Sequence, residues 1–502
     1  MKRVLYRVVS LNLNSAMRPR LFFTSMMLFV ACVVRAQDVV YSPPQKVNTG
    51  ISKVEIIGRT DQGILVRHTQ RDDDEIVSFY DNMQQHWRKK IPIHDKNAAL
   101  LQIVPDVDSL TFFYTLTLKG VTTLHGFRTS TRAEPPVKIF TCDTLTRNFL
   151  SPAVQPQFTF TADKRYILYW FPDPNFENNH ILHVQCLNEK LKGVWTRNMR
   201  IEGFDHPEVV AGVIDSAANA TIVCGNFKDR SVKNDFPYVA LLVASIRDAG
   251  TKIHQQVIRN EDVLYSSGLA KGDAFTGDVI VGGLYAHAIG VESSGFYLLK
   301  YSAADDSVTT INYQAHTTEF LAQLTGSPTP KKNDGFFDFN VTELIVKRDG
   351  GAVLLAESQS VSSEAFTTPG LGGFGFSNGF VVNSYHYDDI AAISFKPDGQ
   401  TEWKTILHKK QATEGDGGFY SSFATVIARN QAYLLYNDDV NGQSVVAYYS
   451  LDASGKQSRS EMFNAERKGV MLAMREAKQI SNNEIVIPSL KRNYLQFIKI
   501  TY

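Results

Sequence analysis

From Asp38 onward, apolar residues recur in short runs of strand length, rich in Val, Ile, Leu, Phe and Tyr and punctuated by Gly, Asn and Asp. No convincing stretch keeps helical spacing, so the pattern predicts an all-β chain. The runs group in fours: KVEIIGRTD, GILVRHTQ, EIVSFYD and HWRKKIPI between Lys53 and Ile93 make one set. Repeating this phrasing places unit starts near Val54, Ala98, Gln157, Glu208, Leu264, Val341, Phe423 and Val470. The final unit has three strands, and DVVY at Asp38 to Tyr41 is expected to supply the fourth, leaving no bare sheet edge. Middle strands such as YVALLVAS (Tyr238 to Ser245) and GFYLLKY (Gly295 to Tyr301) are apolar almost without alternation. A strand wet on one face alternates, so these should be buried on both. The expected fold is a single β-propeller of four-stranded antiparallel blades, eight in preference to seven, closed between its N- and C-terminal strands.

Connection lengths suggest polarity. Turns between the first and second strands are tight, as at Thr60 to Gly63 and Arg348 to Gly351, whereas QRDDDE at Gln70, FPDPNFENNH at Phe171, GNFKDRSVKNDFP at Gly225 and NDDVNGQ at Asn437 read as long second-to-third connections. The longest segments read as loop insertions at 317–339 and 358–387. In a propeller these long connections share one face, and binding residues concentrate on such loops. The candidate partner-binding residues on that face are Asp73, Asn175, Glu177, Arg230, His287, Phe374, Phe376, Tyr385, His386 and Asp439. The aromatic set from Phe366 to Tyr387 suits either contact with a ligand or coverage of the channel mouth.

The N-terminus limits compartment. Basic residues up to Arg20 precede the apolar run Leu21 to Val34 and the small-residue site at Ala36, the pattern of an export signal over 1–36. The run falls short of the roughly 20 residues that span a bilayer, so 37–502 should form an exported domain without a transmembrane segment, periplasmic or at the cell surface. Cys32 offers lipid attachment as the minor alternative. Lys and Arg number 52 against 51 for Asp and Glu, so no net field attracts nucleic acid. Cys142, Cys186 and Cys224 are odd in number with no ligand spacing, and read as small buried hydrophobes whose disulfide state the sequence leaves open.

Motifs for chemistry fail on context. TPGLGGFGFSNGF, Thr368 to Phe380, matches both G-x-G-x-x-G and G-x-S-x-G, yet neither match has the required strand before it and helix after it. Asp439 and Asn441 have the alternate spacing of a calcium loop, but Tyr448 stands where the bidentate Glu belongs; an Asn-Gly turn accounts for the pattern. No catalytic residue and no cofactor is assigned.

The segment SFKPDGQTEW, with Gly399 and Trp403, resembles the repeat of quinoprotein-type, tryptophan-docking β-propellers. SLDASGKQSR keeps the turn at Gly455 but has Arg459 in the Trp position, and Trp87 and Trp195 hold that position without the glycine. The resemblance implies that Trp87, Trp195 and Trp403 dock blades together. The fold also resembles the single-propeller scaffold lipoprotein of outer-membrane assembly. The functional expectation is a non-catalytic binding scaffold, a monomer, recognising a protein or glycan through its long-loop face. The alternative is a carbohydrate-active hydrolase or lyase, or a quinone-dependent dehydrogenase, working at the central channel.

Overall fold

The computed structural model describes residues 37–47, 52–70, 73–145, 154–173, 180–227, 236–266, 268–273, 276–288, 292–331, 336, 338–367, 379–438 and 444–502. The chain is an all-β propeller built from four-stranded antiparallel sheets. Among the described residues, pairing sorts the strands into eight four-stranded units. Unit 1 runs from strand Ser52–Thr60 to Gln85–Lys90, unit 2 from Ala98–Pro105 to Phe140–Thr144, and unit 3 from Gln157–Phe160 to Gly193–Arg200. Unit 4 runs from Pro207–Ile214 to Lys252–Arg259, unit 5 from Leu269–Gly272 to Ser307–Ala315, and unit 6 from Phe339–Val346 to Thr401–Leu407. Unit 7 runs from Phe423–Ala428 to Gln457–Asn464. Unit 8 holds Lys478–Gln479, Glu484–Lys491 and Tyr494–Thr501, and its fourth strand is Asp38–Tyr41, with Asp38 opposite Thr501 and Tyr41 opposite Ile498.

Two expected unit starts move. Leu264–Tyr265 is a two-residue strand that pairs with both unit 4 and unit 5 and joins them in one nine-stranded sheet; unit 5 proper starts at Leu269. Val470 lies in the connection to unit 8, which includes a 3₁₀ turn at Met474–Glu476 before the first strand at Lys478.

The core is a series of seams. Leu242 and Ile222 of unit 4 pack with Leu168 and Trp195 of unit 3, while the adjacent Leu241 and Val223 pack with Val281 and Tyr297 of unit 5. Leu354 of unit 6 faces Ile280 and Leu298 of unit 5, and the next residue, Leu355, faces Leu434 of unit 7. Neighbouring residues therefore serve opposite seams, which is why these strands do not alternate. Similar clusters join units 1 and 2 (Ile57, Phe112), 2 and 3 (Phe113, Tyr169), 7 and 8 (Leu435, Ile487), and 8 and 1 (Phe497, Phe79). Each fully buried Leu, Ile or Phe contributes about 1.5–3 kcal/mol.

The fourth strands carry a second repeat. Trp87, Trp195, Thr310 and Trp403 sit opposite Ser78, Cys186, Lys300 and Ser394, each beside a register shift one residue nearer the hairpin turn. Trp195 Nε1 donates to the Ala218 carbonyl of unit 4 at 2.8 Å, and Trp403 Nε1 to the Ala453 carbonyl of unit 7 at 2.9 Å. The side chains at this position lie against turn glycines of the next unit: a Cβ on Gly455 would come within 2.5 Å of the Trp403 ring, and one on Gly399 within 2.8 Å of the Thr310 methyl. Trp87 packs along the seam between units 1 and 2. In unit 4, His254 plays the polar counterpart, its Nδ1 lying 2.7 Å from the Asp306 carbonyl of unit 5.

The antiparallel order puts the first-to-second and third-to-fourth turns on one edge, and the second-to-third and between-unit connections on the other. On that second edge the expected loops gain structure. Segment 358–387 is largely a β-ribbon, because strands Ala352–Thr367 and Gly379–Phe395 stay paired from Gln359 opposite Tyr387 to Thr367 opposite Gly379. Within 317–339 lies helix α1, Thr318–Thr325, capped by the Thr317 side chain and by Gly326 at φ 68°. Its Phe320 and Leu321 bury against unit 5, a pairing too short to produce a readable periodicity. QRDDDE is largely strand: Gly63–Gln70 pairs with Asp73–Phe79 up to Gln70 opposite Asp73. None of Cys142, Cys186 and Cys224 is in a disulfide, and burial pushes each thiol up to about 12. Among the described residues no helix is long and apolar enough to cross a membrane.

Candidate ligand site at the channel mouth

First strands of successive units touch one another, as in units 1 and 2, 3 and 4, 4 and 5, 5 and 6, and 8 and 1, so they form the innermost layer around the axis. Four of them share a bulge, at Ile57, Leu101, Val210 and Thr342. A bulge interrupts the ladder and turns backbone groups away from their strand partner. The Ile57 carbonyl is one such group, and it accepts from Lys478 Nζ of unit 8 at 2.9 Å.

Units 5 to 8 enclose a cavity of about 470 Å³ on this inner wall, lined among others by Lys271, Thr342, Glu343, Arg475, Lys478 and Gln479. Lys271 and Glu343 neutralise each other at 2.5 Å. Arg475 and Lys478 differ: among the described residues neither has a carboxylate within ion-pair distance. Arg475 Nη1 donates to the Tyr387 hydroxyl at 3.1 Å and to the Gly417 carbonyl at 3.4 Å, with its guanidinium 5.8 Å from the Tyr387 ring centre. These partners orient the cation without cancelling its charge. Lys478 is exposed to water yet surrounded by the channel wall; desolvation pulls its ammonium pKa down, the field of Glu55 opposing and that of Lys164 adding.

Tyr387 is itself held firmly. It is 8% exposed, and a Cβ on Gly418 would come within 2.5 Å of its ring, so the Gly417-Gly418 turn exists to let the backbone pass. Its backbone N–H donates to the Gln411 carbonyl at 3.0 Å, and its carbonyl accepts from Lys409 Nζ at 2.7 Å. Lys409 forms a fully buried pair with Glu357 at 2.7 Å and donates to Gln411 at 2.8 Å, while Glu357 also accepts from Ser422 and Gln359. Desolvation depresses the Lys409 ammonium pKa, and Glu357 works against that fall. Asn437 extends the network, its side-chain amide donating to the Tyr420 and Leu472 carbonyls at 2.7 and 2.8 Å. A polar layer thus ties the ribbon of unit 6 to the connections entering units 7 and 8, and it fixes the phenol that orients Arg475.

The carboxylates on neighbouring first strands are engaged as well. Glu55 lies 3.4 Å from Arg67, and Glu208 accepts from the Tyr238 hydroxyl at 2.5 Å. Among the described residues no three His, Cys, Asp or Glu side chains converge as metal ligands.

The residues singled out from sequence lie elsewhere. Asn175, Glu177, Arg230, Phe374, Phe376, Asp439 and Asn441 fall outside the described residues, as does the side chain of Asp73. His287 is exposed at the end of strand Val279–Ala286, with Nδ1 2.7 Å from the Asp262 carbonyl. Tyr385 and His386 stand on the ribbon, opposite Val361 and Ser360. None of these three lines the cavity. Arg475 and Lys478 gave no signal because MLAMREAKQ carries no long-loop composition; their importance arises from which strands close the wall.

No protein-family profile matches the chain, and no curated protein sequence matches it. Solved structures are similar in fold. Dihydro-heme d1 dehydrogenase NirN in complex with DHE is 10% identical, covering 90% of this chain and 71% of its own, with a TM-score of 0.42. The polysaccharide lyase Uly1 is 9% identical over 91% of this chain and 99% of its own, TM-score 0.36. The Nup133 β-propeller domain of Vanderwaltozyma polyspora is 11% identical over 80% and 100%, TM-score 0.37.

Proposed function

We propose that this protein is an exported binding propeller, a closed ring of eight blades, which receives an acidic group of a glycan or protein partner at the channel mouth. The observation that carries the reading is the pair of cations, Arg475 and Lys478, facing one cavity and hydrogen-bonded, among the described residues, to neutral partners only. An anion entering there gains charge-assisted hydrogen bonds without displacing an existing carboxylate. The seam between units 8 and 1 and the pairing of Asp38–Tyr41 with the last unit support the closed ring. The tryptophan contacts with following units support kinship with tryptophan-docking propellers. A catalytic role has less support, because Glu55, Glu208 and Glu343 each already serve a partner.

The test is calorimetric binding of poly-glutamate to the intact protein and to the Arg475→Gln/Lys478→Gln variant. Binding by the intact protein that is lost in the double variant is expected. Binding that survives in the double variant, or its absence from both, would refute the site.

A further inference from the structure

A second cleft opens on the same edge, outside the channel, between units 7 and 8. Its volume is about 760 Å³, and its lining includes Ser444, Lys468, Met471, Lys491, Arg492 and Tyr494. It shares no residue with the channel cavity. Local structure sets its walls. Helix α2, Ala465–Lys468, starts at the Asn464 cap and stops at Gly469, φ 71°, which places Lys468 at the rim. Arg492 and Asn493 have φ of 49° and 65°, the two left-handed positions of a tight hairpin turn, so Lys491 and Tyr494 face each other across the ladder.

Two independent features mark a ligand. The first is charge: among the described residues Lys468, Lys491 and Arg492 have no carboxylate within ion-pair distance, and Glu466 is the cleft's lone acidic lining residue. The second is an unspent hydrogen bond. Ser444 is 7% exposed; its carbonyl accepts from the Ala465 N–H at 2.8 Å, but among the described residues its hydroxyl has no partner. A buried hydroxyl left unpaired costs about 1–3 kcal/mol, a cost that a ligand able to bond it removes. Tyr494, 48% exposed, adds an aromatic surface at the rim, with Val470 and Met471 as apolar lining. The volume exceeds that of a lone oxyanion and lies in the range of small-molecule sites.

We propose that this cleft binds a short acidic saccharide: its carboxylate or sulfate groups meet Lys468, Lys491 and Arg492, a ring lies on Tyr494, and a sugar hydroxyl pairs with Ser444. The site is independent of the channel reading. Calorimetry would use digalacturonate, a sulfated uronate disaccharide, cellobiose and inorganic sulfate as probes, on the intact protein, on Lys468→Gln/Lys491→Gln, and on Ser444→Ala. Acidic disaccharides should bind, cellobiose should not, and the double variant should weaken binding at least about tenfold, the loss of one charged hydrogen bond. Ser444→Ala should weaken both disaccharides but not sulfate. The Arg475→Gln/Lys478→Gln variant should bind them unchanged, which separates this site from the channel. Undiminished binding in a Lys468→Gln/Lys491→Gln protein that melts normally would overturn the proposal. Sulfate binding as tightly as the disaccharides would also overturn it, leaving only an anion subsite.

Discussion

Two arcs of the propeller solve the same problem differently. In units 8, 1 and 2 only two residues separate the paired second and third strands, whereas in units 3 to 7 the separation is longer. Between units 8 and 1 of the short arc, Arg59 bridges Glu484 at 2.7 Å with 29% of its side chain exposed, on the edge that carries the first-to-second turns. On the long arc the described ribbon of unit 6 and the segment entering unit 7 meet at one sheet end, and the polar groups between them are satisfied internally. The Lys409–Glu357 pair, with both side chains at 0% exposure, is the result. The meeting of these segments therefore brought a rigid buried network, and that network holds Tyr387 against Arg475.

The sharpest way to break this contrast is Lys409→Ala, which strands Glu357 in the interior. A loss of about 3–5 kcal/mol is expected by denaturant titration. The matched change Lys409→Met/Glu357→Leu should recover most of it. Next comes Trp195→Ala, which removes a seam residue that is 6% exposed; about 3–5 kcal/mol is expected, and a loss under 1 kcal/mol would argue against docking as a source of stability. Tyr387→Phe leaves Arg475 without its hydroxyl acceptor. Fold stability should change little while affinity for an acidic probe falls several-fold, measured by calorimetry.

Two histidines extend the comparison to pH. His183, at the junction of the arcs, lies 2.7 Å from Asp143; burial is the largest influence and opposes protonation, but Asp143, Asn198 and Asp173 together raise the pKa above 6.5. Its contribution is present in full below about pH 6.5 and fades as pH rises through the folded value. His316, on the long arc, stacks on Phe336 at 3.8 Å, and burial lowers its pKa to about 3. Its sign is opposite: stability is present above about pH 6.5 and is lost as pH falls toward 3. Melting curves of His183→Gln and His316→Leu against pH should diverge from the parent on opposite sides of neutrality. The smallest effect belongs to the short arc, where Arg59→Ala should cost about 1 kcal/mol or less. A cost rivalling that of Lys409→Ala would erase the distinction between the arcs.

Much of the architecture was legible because burial on both faces leaves a mark on every middle strand. The four-strand rhythm and the role of Asp38–Tyr41 followed from it. The tryptophan positions were legible too, but Thr310 and His254 were not, since a short or polar side chain at the docking position leaves no recognisable spacing. The ribbon at 358–387 read as loop because Ser, Thr and Gly dominate it, although its register is held strand to strand. The candidate site was the least legible part. Arg475 and Lys478 are ordinary in sequence and become a pair only in the folded wall, where Tyr387 of unit 6 orients Arg475 and a carbonyl freed by the bulge at Ile57 of unit 1 receives Lys478.

The most direct test is anomalous diffraction from crystals soaked in selenate. A selenium peak placed so that selenate oxygens accept from both the Arg475 guanidinium and the Lys478 ammonium is expected. Crystals with no anion there, and a carboxylate of the chain itself seated on Arg475, would contradict the assignment of the channel mouth as an acid-receiving site.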